Sequence, residues 1–360
     1  MKAFRVTLVL LLVFALASAC TGQPKPPQET DQIRSSETTE AQLETKEPEI
    51  EEEPQLVWSL QQEEGIKSIA AFGQTIAVGD NIGVNIYHLS DGSLIDALPQ
   101  RHTAEDIGFS TDGKLLAAGL GVWGVYLTQL TGDAEPQQLI GGFNGRLAFS
   151  PDGLHIATGN RDGIIWIFEL DGLTEIAALE NPDFEKPDKK SGDKMVSSID
   201  YHPSGKLLAA THFDGAVYFW DLEKKEIIRT LQTLSYISSD SKVIRFSPKG
   251  KEIACVIEDN YEHFIQLITL DDGKIRGTIA VPGKVNDFNY SPDGSLLAVA
   301  SSQATTIYDV DSGELLFTLD QTISTFDDMP TVLTFTSDGR HLALAFRWAK
   351  TIELWELPVD

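Results

Sequence analysis

The sequence of 360 residues has few cysteines, few basic side chains and no apolar run long enough to span a bilayer comfortably. Each of these shortages argues against a class of protein. Two cysteines cannot build the disulfide framework of a small secreted domain. The 28 Lys and Arg residues are outnumbered by 54 Asp and Glu residues, which gives a net charge of −26. Because nucleic acids and anionic lipid headgroups attract cations, this balance argues against both as partners. With 42% hydrophobic residues, the chain can still bury a large core.

The amino-terminal segment has the features of an export signal. Lys2 and Arg5 precede an uncharged apolar run over residues 6–19, which has the length of a signal-peptide core and is short for a bilayer crossing. The run ends in the letters LASAC, with Cys20 last. This ending resembles the lipobox of bacterial lipoproteins, which implies cleavage before Cys20 and attachment of diacylglycerol to its thiol. The alternative is an ordinary secretory signal cut after Ala19.

We therefore predict a lipoprotein signal peptide over residues 1–19 and an extracytoplasmic protein. The lipid would hold it at the outer membrane of a bacterium or at the outer face of the cytoplasmic membrane. Two acyl chains plus one on the new amino terminus would suffice for stable anchoring.

Residues 20–54 differ in composition from the rest of the chain. They are rich in Glu, Thr, Gln and Pro, contain no aromatic residue, and carry ten acidic side chains against three basic ones. Such a segment cannot bury enough apolar surface to offset its chain entropy. We predict a disordered, acidic, lipid-anchored tether that holds the folded part off the membrane. An acidic binding tail is the alternative.

A five-residue turn motif recurs six times after residue 55, at intervals of 40 to 52 residues. It is typified by the letters FSPDG, and the copies begin at Phe109, Phe149, Tyr201, Phe246, Tyr290 and Phe335. Proline presets φ and glycine tolerates positive φ, so each copy predicts a tight reversal between two strands. Three residues after each Gly comes Leu or Ile followed by Ala, and a seventh such pair, Ile76-Ala77, precedes the six. We expect the small Ala to let inner strands crowd toward a central axis.

The second half of each repeat is an alternating strand that ends in a triplet, commonly aromatic, polar and aliphatic. The seven triplets begin at Tyr87, Thr128, Phe168, Trp220, Ile268, Tyr308 and Trp355. Alternation with a period of two, interrupted by frequent turns, predicts an all-β fold. Four strands per repeat of about 44 residues is typical of a propeller blade.

These turns and triplets resemble WD40 repeats over residues 55–360, most clearly from Asp214 to Asp221. Thr128 and Ile268 stand where that family has Trp, and most repeats lack its Gly-His start. The resemblance therefore implies the propeller fold but leaves the family's buried Asp-His-Ser-Trp network in doubt for most blades.

The two ends of the repeat region predict how the ring closes. The last repeat stops three strands into its blade, whereas Gln55 to Leu60 is an alternating strand that precedes the first repeat. In a WD40 ring the amino-terminal strand completes the last blade and removes an exposed sheet edge. We predict a seven-bladed β-propeller closed in this way, with Leu56 and Trp58 facing the core.

No catalytic or metal-binding set of residues emerges. Gly119 to Gly124 matches the dinucleotide pattern GxGxxG, but a strand follows it where the pyrophosphate would need a helix N-terminus, so we interpret it as a hairpin. The seven histidines show no metal-ligand spacing, and Asp162 and Asp214 precede glycines as turn formers do. Cys255 is interpreted as a buried apolar side chain. We expect no enzyme activity, metal or cofactor.

One face of the predicted propeller is the candidate binding surface. Strands alternate in direction, so the hairpins between second and third strands share a face with the links between blades, where nearly all length variation lies. Loops on a rigid scaffold commonly carry binding, and aromatic side chains are frequent hot spots. The alternative is that these rings only cap the blades. The candidate partner-binding residues are Trp123, His212, Phe213, Tyr236, Tyr261, Phe326 and Trp348.

The WD40 resemblance implies a non-enzymatic scaffold for protein–protein interaction, here anchored at the membrane on its extracytoplasmic side. We expect a monomeric propeller that binds other envelope proteins or peptides, meets the membrane only through its lipid, and binds no nucleic acid. The alternative is an extracytoplasmic propeller enzyme or small-ligand binder of quinoprotein-like or lactonase-like type. Those proteins gather metal ligands or cofactor-stacking Trp residues at the axis, and no repeating pattern here supplies them.

Overall fold

The computed structural model describes residues 53–99, 102–131, 135–139, 145–185, 191–232, 244–259, 262–321 and 329–358. In these residues the chain forms seven four-stranded sheets, which are the blades of a β-propeller. The regular helical segments described are three short 3-10 turns at Gly121–Trp123, Pro182–Glu185 and Ser191–Lys194. None of them is long and apolar enough to span a bilayer.

Six blades consist of consecutive strands, and the seventh joins the two ends of the ring. Blade 1 contains β2 (Ser68–Phe72), β3 (Thr75–Gly79), β4 (Gly83–His88) and β5 (Leu94–Pro99). Blade 2 contains β6 (Asp106–Phe109), β7 (Leu115–Gly119), β8 (Val125–Gln129) and β9 (Gln137–Leu139). Blade 3 contains β10 (Arg146–Phe149), β11 (His155–Gly159), β12 (Ile165–Glu169) and β13 (Thr174–Leu179). Blade 4 contains β14 (Val196–Tyr201), β15 (Leu207–His212), β16 (Ala216–Asp221) and β17 (Glu226–Gln232).

The remaining three blades complete the ring. Blade 5 contains β18 (Ile244–Phe246), β19 (Glu252–Asp259), β20 (Glu262–Thr269) and β21 (Ile275–Ala280). Blade 6 contains β22 (Val285–Tyr290), β23 (Leu296–Ser301), β24 (Thr305–Asp309) and β25 (Leu315–Thr318). Blade 7 contains β26 (Val332–Phe335), β27 (His341–Phe346), β28 (Thr351–Glu356) and β1 (Gln55–Gln61). The predicted all-β, seven-bladed fold is confirmed.

The closure of the ring by the amino-terminal strand is also confirmed. β1 pairs antiparallel with β28 as the fourth strand of blade 7, with Leu60 opposite Ile352 and Gln61 opposite Thr351. The innermost strands β2 and β26 lie next to each other, so blade 1 adjoins blade 7. One sheet therefore combines the start and the end of the repeat region.

The expectation that both Leu56 and Trp58 face the core is wrong for Leu56. Trp58 packs against the core between blades 7 and 1, and its indole N–H donates a hydrogen bond of 2.9 Å to the carbonyl of Leu89. Leu56 is 48% exposed. The pairing with β28 shifts by one residue between Leu56 and Trp58. Because this bulge breaks the alternation of side chains, Leu60 rather than Leu56 joins Trp58 in the core.

The Ala predicted in each second strand occupies a tightly packed position. All seven are fully buried: Ala77, Ala117, Ala157, Ala209, Ala254, Ala298 and Ala343. A larger side chain there would have to displace the neighbouring blade, because interiors are packed close to crystal density. The repeat therefore specifies the narrow centre of the ring.

The turn motif closes on itself through its own side chains. In blade 3, the main-chain N–H of Gly153 donates to the carbonyl of Ser150 (3.0 Å), and Gly153 has φ of +70°. The Ser150 hydroxyl donates to Asp152 and accepts from the main-chain N–H of His155 at 2.9 Å. Serine and aspartate thus both stabilise the turn in this blade.

Candidate partner-binding face

The two ends of the propeller have different kinds of connection. First-to-second and third-to-fourth turns lie at one end, which we name the short-turn face. Second-to-third hairpins and the links between blades lie at the other end, which we name the loop face. This division follows from the antiparallel order of strands within every blade.

Trp123 lies on the loop face, in the hairpin between β7 and β8. The 3-10 turn Gly121–Trp123 forms this hairpin, so the glycine pattern there is a strand connection, as predicted. The indole is 51% exposed and stacks on the His102 ring with the ring centres 4.3 Å apart. The carbonyl of Trp123 accepts a hydrogen bond of 2.8 Å from the Gln138 amide. One face of the indole is therefore covered and the turn beneath it is fixed.

Trp348 lies on the same face, in the hairpin between β27 and β28. It is 47% exposed, and the Arg347 guanidinium lies over its ring at 4.8 Å from the centre. Lys350 adopts φ of +56° in this turn, and its ammonium donates a hydrogen bond of 2.6 Å to the carbonyl of Glu63. The hairpin is thereby tied to the link between β1 and β2. Both Trp residues predicted to lie in connections do so.

The prediction that His212 and Phe213 lie at the surface is wrong. Both side chains are buried in blade 4. The His212 Nδ1–H donates to the carbonyl of Lys194 at 2.6 Å, and the ring packs edge-on against Phe184 at 4.9 Å between ring centres. The 3-10 segment that contains Phe184 covers this hairpin. Sequence position alone therefore placed the two rings on the correct face but at the wrong depth.

A buried tyrosine completes this cluster in blade 4. The Tyr218 hydroxyl donates a hydrogen bond of 2.7 Å to the Asp214 carboxylate, and Asp214 also accepts from the main-chain N–H of Ala216 at 3.1 Å. Burial, together with the nearby Asp214, raises the pKa of Tyr218. The acid before Gly215 is thus a turn former, as predicted.

The remaining candidates lie outside the described residues. These are Cys20, Tyr236, Tyr261 and Phe326. Their assigned roles stay predictions.

Two aliphatic residues on the loop face escaped the sequence analysis. Ile82 is 55% exposed in the hairpin between β3 and β4, and Val122 is exposed beside Trp123. The Asp80 carboxylate accepts hydrogen bonds from the main-chain N–H groups of Ile82 (2.8 Å) and Gly83 (2.9 Å). Burial raises the pKa of Asp80, and these hydrogen bonds oppose the rise. The sequence signal that could have revealed Ile82 was its place two positions after Asp80, an aspartate that forms the turn.

The exposed apolar residues of the loop face occupy consecutive blades. We name Trp348, Ile82, Val122 and Trp123 the apolar arc; they lie on blades 7, 1 and 2. In the other blades, the described residues of the corresponding hairpins include no exposed large apolar side chain. Arg161 and Asp162 are exposed in blade 3, and Ser302 and Gln303 form the turn in blade 6.

A cavity of about 400 Å³ lies at the innermost strands of blades 2 to 6. Asp106, Arg146 and Arg245 line it, and a guanidinium nitrogen of Arg245 lies 3.9 Å from the Asp287 carboxylate. Asp106 and Asp287 also accept hydrogen bonds from main-chain N–H groups of the next blade, at Leu147 (3.3 Å) and Leu333 (3.1 Å). These acids therefore connect adjacent blades.

Within the described part of the chain, no three His, Cys, Asp or Glu side chains are placed to hold a metal ion. Cys255 lies fully buried in β19, and burial raises the pKa of its thiol to about 12. A thiol with such a pKa stays protonated near neutral pH and is a poor nucleophile. The prediction of a buried structural cysteine is confirmed.

Fold and candidate site together define a class: a seven-bladed propeller of the WD40 type whose candidate site is a surface. Comparisons with known proteins support this class. Residues 156–239 match the family model described as the anaphase-promoting complex subunit 4 WD40 domain. This stretch runs from β11 in blade 3 past the end of β17 in blade 4.

Several curated proteins are similar to longer stretches of the chain. One is the p21-activated protein kinase-interacting protein 1-like of Gallus gallus, 22% identical over 208 residues, which cover 57% of this chain and 50% of that protein. Another is THO complex subunit 3 of Arabidopsis thaliana, 24% identical over 214 residues, which cover 51% and 66% respectively. A third is the WD repeat and HMG-box DNA-binding protein 1 of Xenopus laevis, 25% identical over 184 residues, which cover 50% and 16%. The chain spans about half the length of the kinase-interacting relatives it matches.

Proposed function

We propose that this chain is a non-enzymatic interaction scaffold that binds other envelope proteins or peptides through its loop face. We further propose that a lipid on Cys20 anchors it on the extracytoplasmic side of a bacterial membrane. The observation that carries the binding proposal is the apolar arc, because exposed Trp side chains on fixed turns serve no packing purpose that the repeat requires. Aromatic side chains of this kind are typical interface hot spots.

The names of two relatives are in line with a scaffold. One is described as a kinase-interacting protein and another as a subunit of a complex. Their partners do not transfer to this chain, because identity is 22% and 24% and the matches are partial.

The direction of β1 supports an anchor that leaves the loop face accessible. β28 begins at the loop-face hairpin that contains Trp348 and ends at Glu356, on the short-turn side. Gln55 lies opposite Glu356, so the antiparallel β1 begins on the short-turn side. β1 therefore begins at the end of the propeller opposite to the apolar arc.

The anchor is tested by replacing Cys20 with Ser. We expect the variant to lose acyl labelling and to fractionate as a soluble exported protein. A wild-type chain that carries no acyl label and is already soluble would refute the lipid anchor without bearing on the binding face.

The binding face is tested by crosslinking in cells followed by purification of the tagged full chain. We expect Trp123→Ala and Trp348→Ala each to reduce retention of partner proteins while leaving the melting temperature unchanged. Lys249→Ala and Asp271→Ala, at exposed positions on the short-turn face, are the matched controls. Loss of partners in the controls alone, or in no variant, would contradict the assignment of the loop face.

The cavity at the innermost strands favours a second candidate function, the binding of a small polar ligand. Its lining includes Arg146, Arg245 and Asp106 beside Ser197 and Ser198, so it offers charges of both signs. Native mass spectrometry of the purified full chain, with an absorption spectrum and metal analysis, tests this candidate. A co-purified small molecule released by substituting Ser198 would support it.

A further inference from the structure

We infer that the apolar arc is the docking site of an extended, basic segment of a partner protein that carries apolar side chains on both sides of its cations. This inference rests on the proposed function and names the chemistry of the partner. Three observations support it: contacts link the hairpins of the arc, its side chains are held in place, and the propeller that presents it is strongly acidic.

Contacts between neighbouring hairpins and links connect the arc from blade 7 to blade 2. A Cβ atom on Gly65 would lie 3.2 Å from the carbonyl oxygen of Arg347 and 3.3 Å from the Asn81 amide nitrogen. Gly65 thus lies between the hairpin of Trp348 and the hairpin of Ile82. On the far side, the Thr103 hydroxyl lies 3.5 Å from the carbonyl of Asn81. The neighbouring His102 stacks on Trp123, so a series of contacts links the three hairpins.

Each anchor of the arc is positioned before any partner arrives. Arg347 covers one face of the Trp348 indole, and His102 covers one face of Trp123. Asp80 holds the turn that presents Ile82 through two main-chain hydrogen bonds. A surface already in its bound conformation loses less entropy on binding, which favours affinity. The anchors lie on three neighbouring blades, so an extended segment can contact all of them.

Charges of both signs adjoin the arc near Trp348, where Arg347 and Lys350 lie close to Glu63, but the propeller as a whole is acidic. Glu63 is exposed next to the Trp348 hairpin, and the Glu64 carboxylate accepts a hydrogen bond of 3.4 Å from Asn81. The propeller region has 23 basic and 44 acidic side chains, a net charge of −21. A cationic segment is therefore attracted from a distance by this net charge.

The same charges disfavour two other occupants. A second copy of this chain would bring a second propeller whose net charge is also −21, and the two would repel each other. An anionic lipid surface would be repelled for the same reason. A basic peptide segment is the occupant that the charges favour.

The probe for this inference is a phage-displayed library of random 12-residue peptides, selected on the full chain in detergent. A chain with both Trp123→Ala and Trp348→Ala is used to remove peptides that bind elsewhere. We expect the enriched peptides to carry a net positive charge and at least two large apolar side chains. Synthetic peptides of the enriched sequence should bind at least about tenfold more weakly to either single Trp variant. Glu63→Lys should weaken them further and reduce the salt dependence of binding.

Two matched controls remove exposed apolar side chains elsewhere. Ile228→Ala and Leu315→Ala change side chains that are as exposed as the arc but lie on the outermost strands β17 and β25. Both should bind the peptides as the wild type does. Enrichment of acidic or uncharged peptides, equal binding to the Trp variants, or no enrichment over the double variant would each overturn the inference.

Other occupants give distinct results with the same proteins. Dimerisation of the wild type in light scattering that the double Trp variant abolishes would show a second copy at the arc. Binding of Cys20→Ser chain to phosphatidylglycerol vesicles through Trp348 would show a lipid surface. Either result would overturn the inference that a basic segment occupies the arc. If crosslinked partners depend on blades 3 to 6 instead, the proposed scaffold stands and only this inference fails.

Discussion

The two faces of the propeller use their polar and aromatic residues differently. On the short-turn face, the repeated motif directs its side chains into its own turns, as Ser291 and Asp293 do through a hydrogen bond of 2.6 Å. On the loop face, three hairpins present Trp348, Ile82 and Trp123 to solvent on turns that are fixed by other residues. Residues that recur in every repeat therefore maintain the blades. The residues that differ between repeats are the ones left available for a partner.

The short-turn side also contains a bidentate ion pair within blade 5 that is hydrogen-bonded to blade 6. The Arg276 guanidinium donates to both carboxylate oxygens of Glu252, at 2.7 and 3.1 Å, and to the carbonyl of Val310 at 2.8 Å. The Tyr290 hydroxyl donates to the same carboxylate at 3.3 Å. This cluster joins blade 5 to blade 6. The comparison thus predicts that substitutions on the short-turn side reduce stability, whereas substitutions in the arc reduce binding.

The largest effect is expected from removing the strand that closes the ring. Deleting residues 55–60 removes Trp58 and Leu60 from the core and leaves β28 without its outer partner. Lost apolar burial and ladder hydrogen bonds together should lower the free energy of unfolding by about 5 kcal/mol or more. Urea denaturation followed by circular dichroism measures this. Deletion of residues 22–49 is the control and should leave stability unchanged; equal losses in both would contradict closure by β1.

A smaller loss is expected from Glu252→Ala. Arg276 would lose a bidentate partner, and the Tyr290 hydroxyl would lose an acceptor. Because Arg276 is partly exposed, we expect about 2–3 kcal/mol, at or below the lower end for breaking a buried pair. Chemical denaturation checks the value. Glu262→Ala, at an exposed position on the loop side, should change stability by less than about 0.5 kcal/mol. Equal effects of the two substitutions would remove the distinction between the faces.

Substitutions in the apolar arc should reduce binding more than stability. Trp123→Ala and Trp348→Ala each remove a half-exposed side chain, so the free energy of unfolding should change by less than about 1 kcal/mol. Binding of the selected basic peptide should weaken by about 2 kcal/mol in each, as at interface hot spots. Fluorescence anisotropy and thermal melting on the same samples separate the two quantities. A variant that melts early and binds normally would show that the Trp is a packing residue.

The smallest effect concerns pH. Hydrogen bonds from Ser291 and Ser312 hold the pKa values of Asp293 and Asp309 below the usual range. A carboxyl whose pKa is lower in the folded chain stabilises it above the unfolded pKa of about 4, and this contribution is lost as the pH falls through the folded pKa. The double variant Asp293→Asn, Asp309→Asn should therefore show a flatter decline in stability between about pH 5 and pH 2, the range that contains the unfolded pKa of an aspartate. An unchanged decline would place the acid sensitivity elsewhere.

How much of this was predictable differs between the fold and the site. Alternation, the FSPDG-like turns and the missing fourth strand are local or countable features, so seven blades and their closure followed from them. Leu56 was misplaced because a bulge depends on how β1 meets β28. His212 and Phe213 were misplaced because the segment that covers them, with Phe184, is remote in sequence. Ile82 was missed because aliphatic residues are usually assigned to a core.

The sequence by itself determined the repeat, the number of blades and the strand that closes the ring. It could do so because turns and alternation are specified by residues close together in the chain. Only the tertiary structure decided which apolar side chains reach solvent, because exposure at a hairpin depends on neighbouring blades. It also brought the hairpins of Trp348, Ile82 and Trp123 side by side, although Trp348 is far along the chain from the other two. The ring places its last blade beside its first, and the apolar arc exists for that reason.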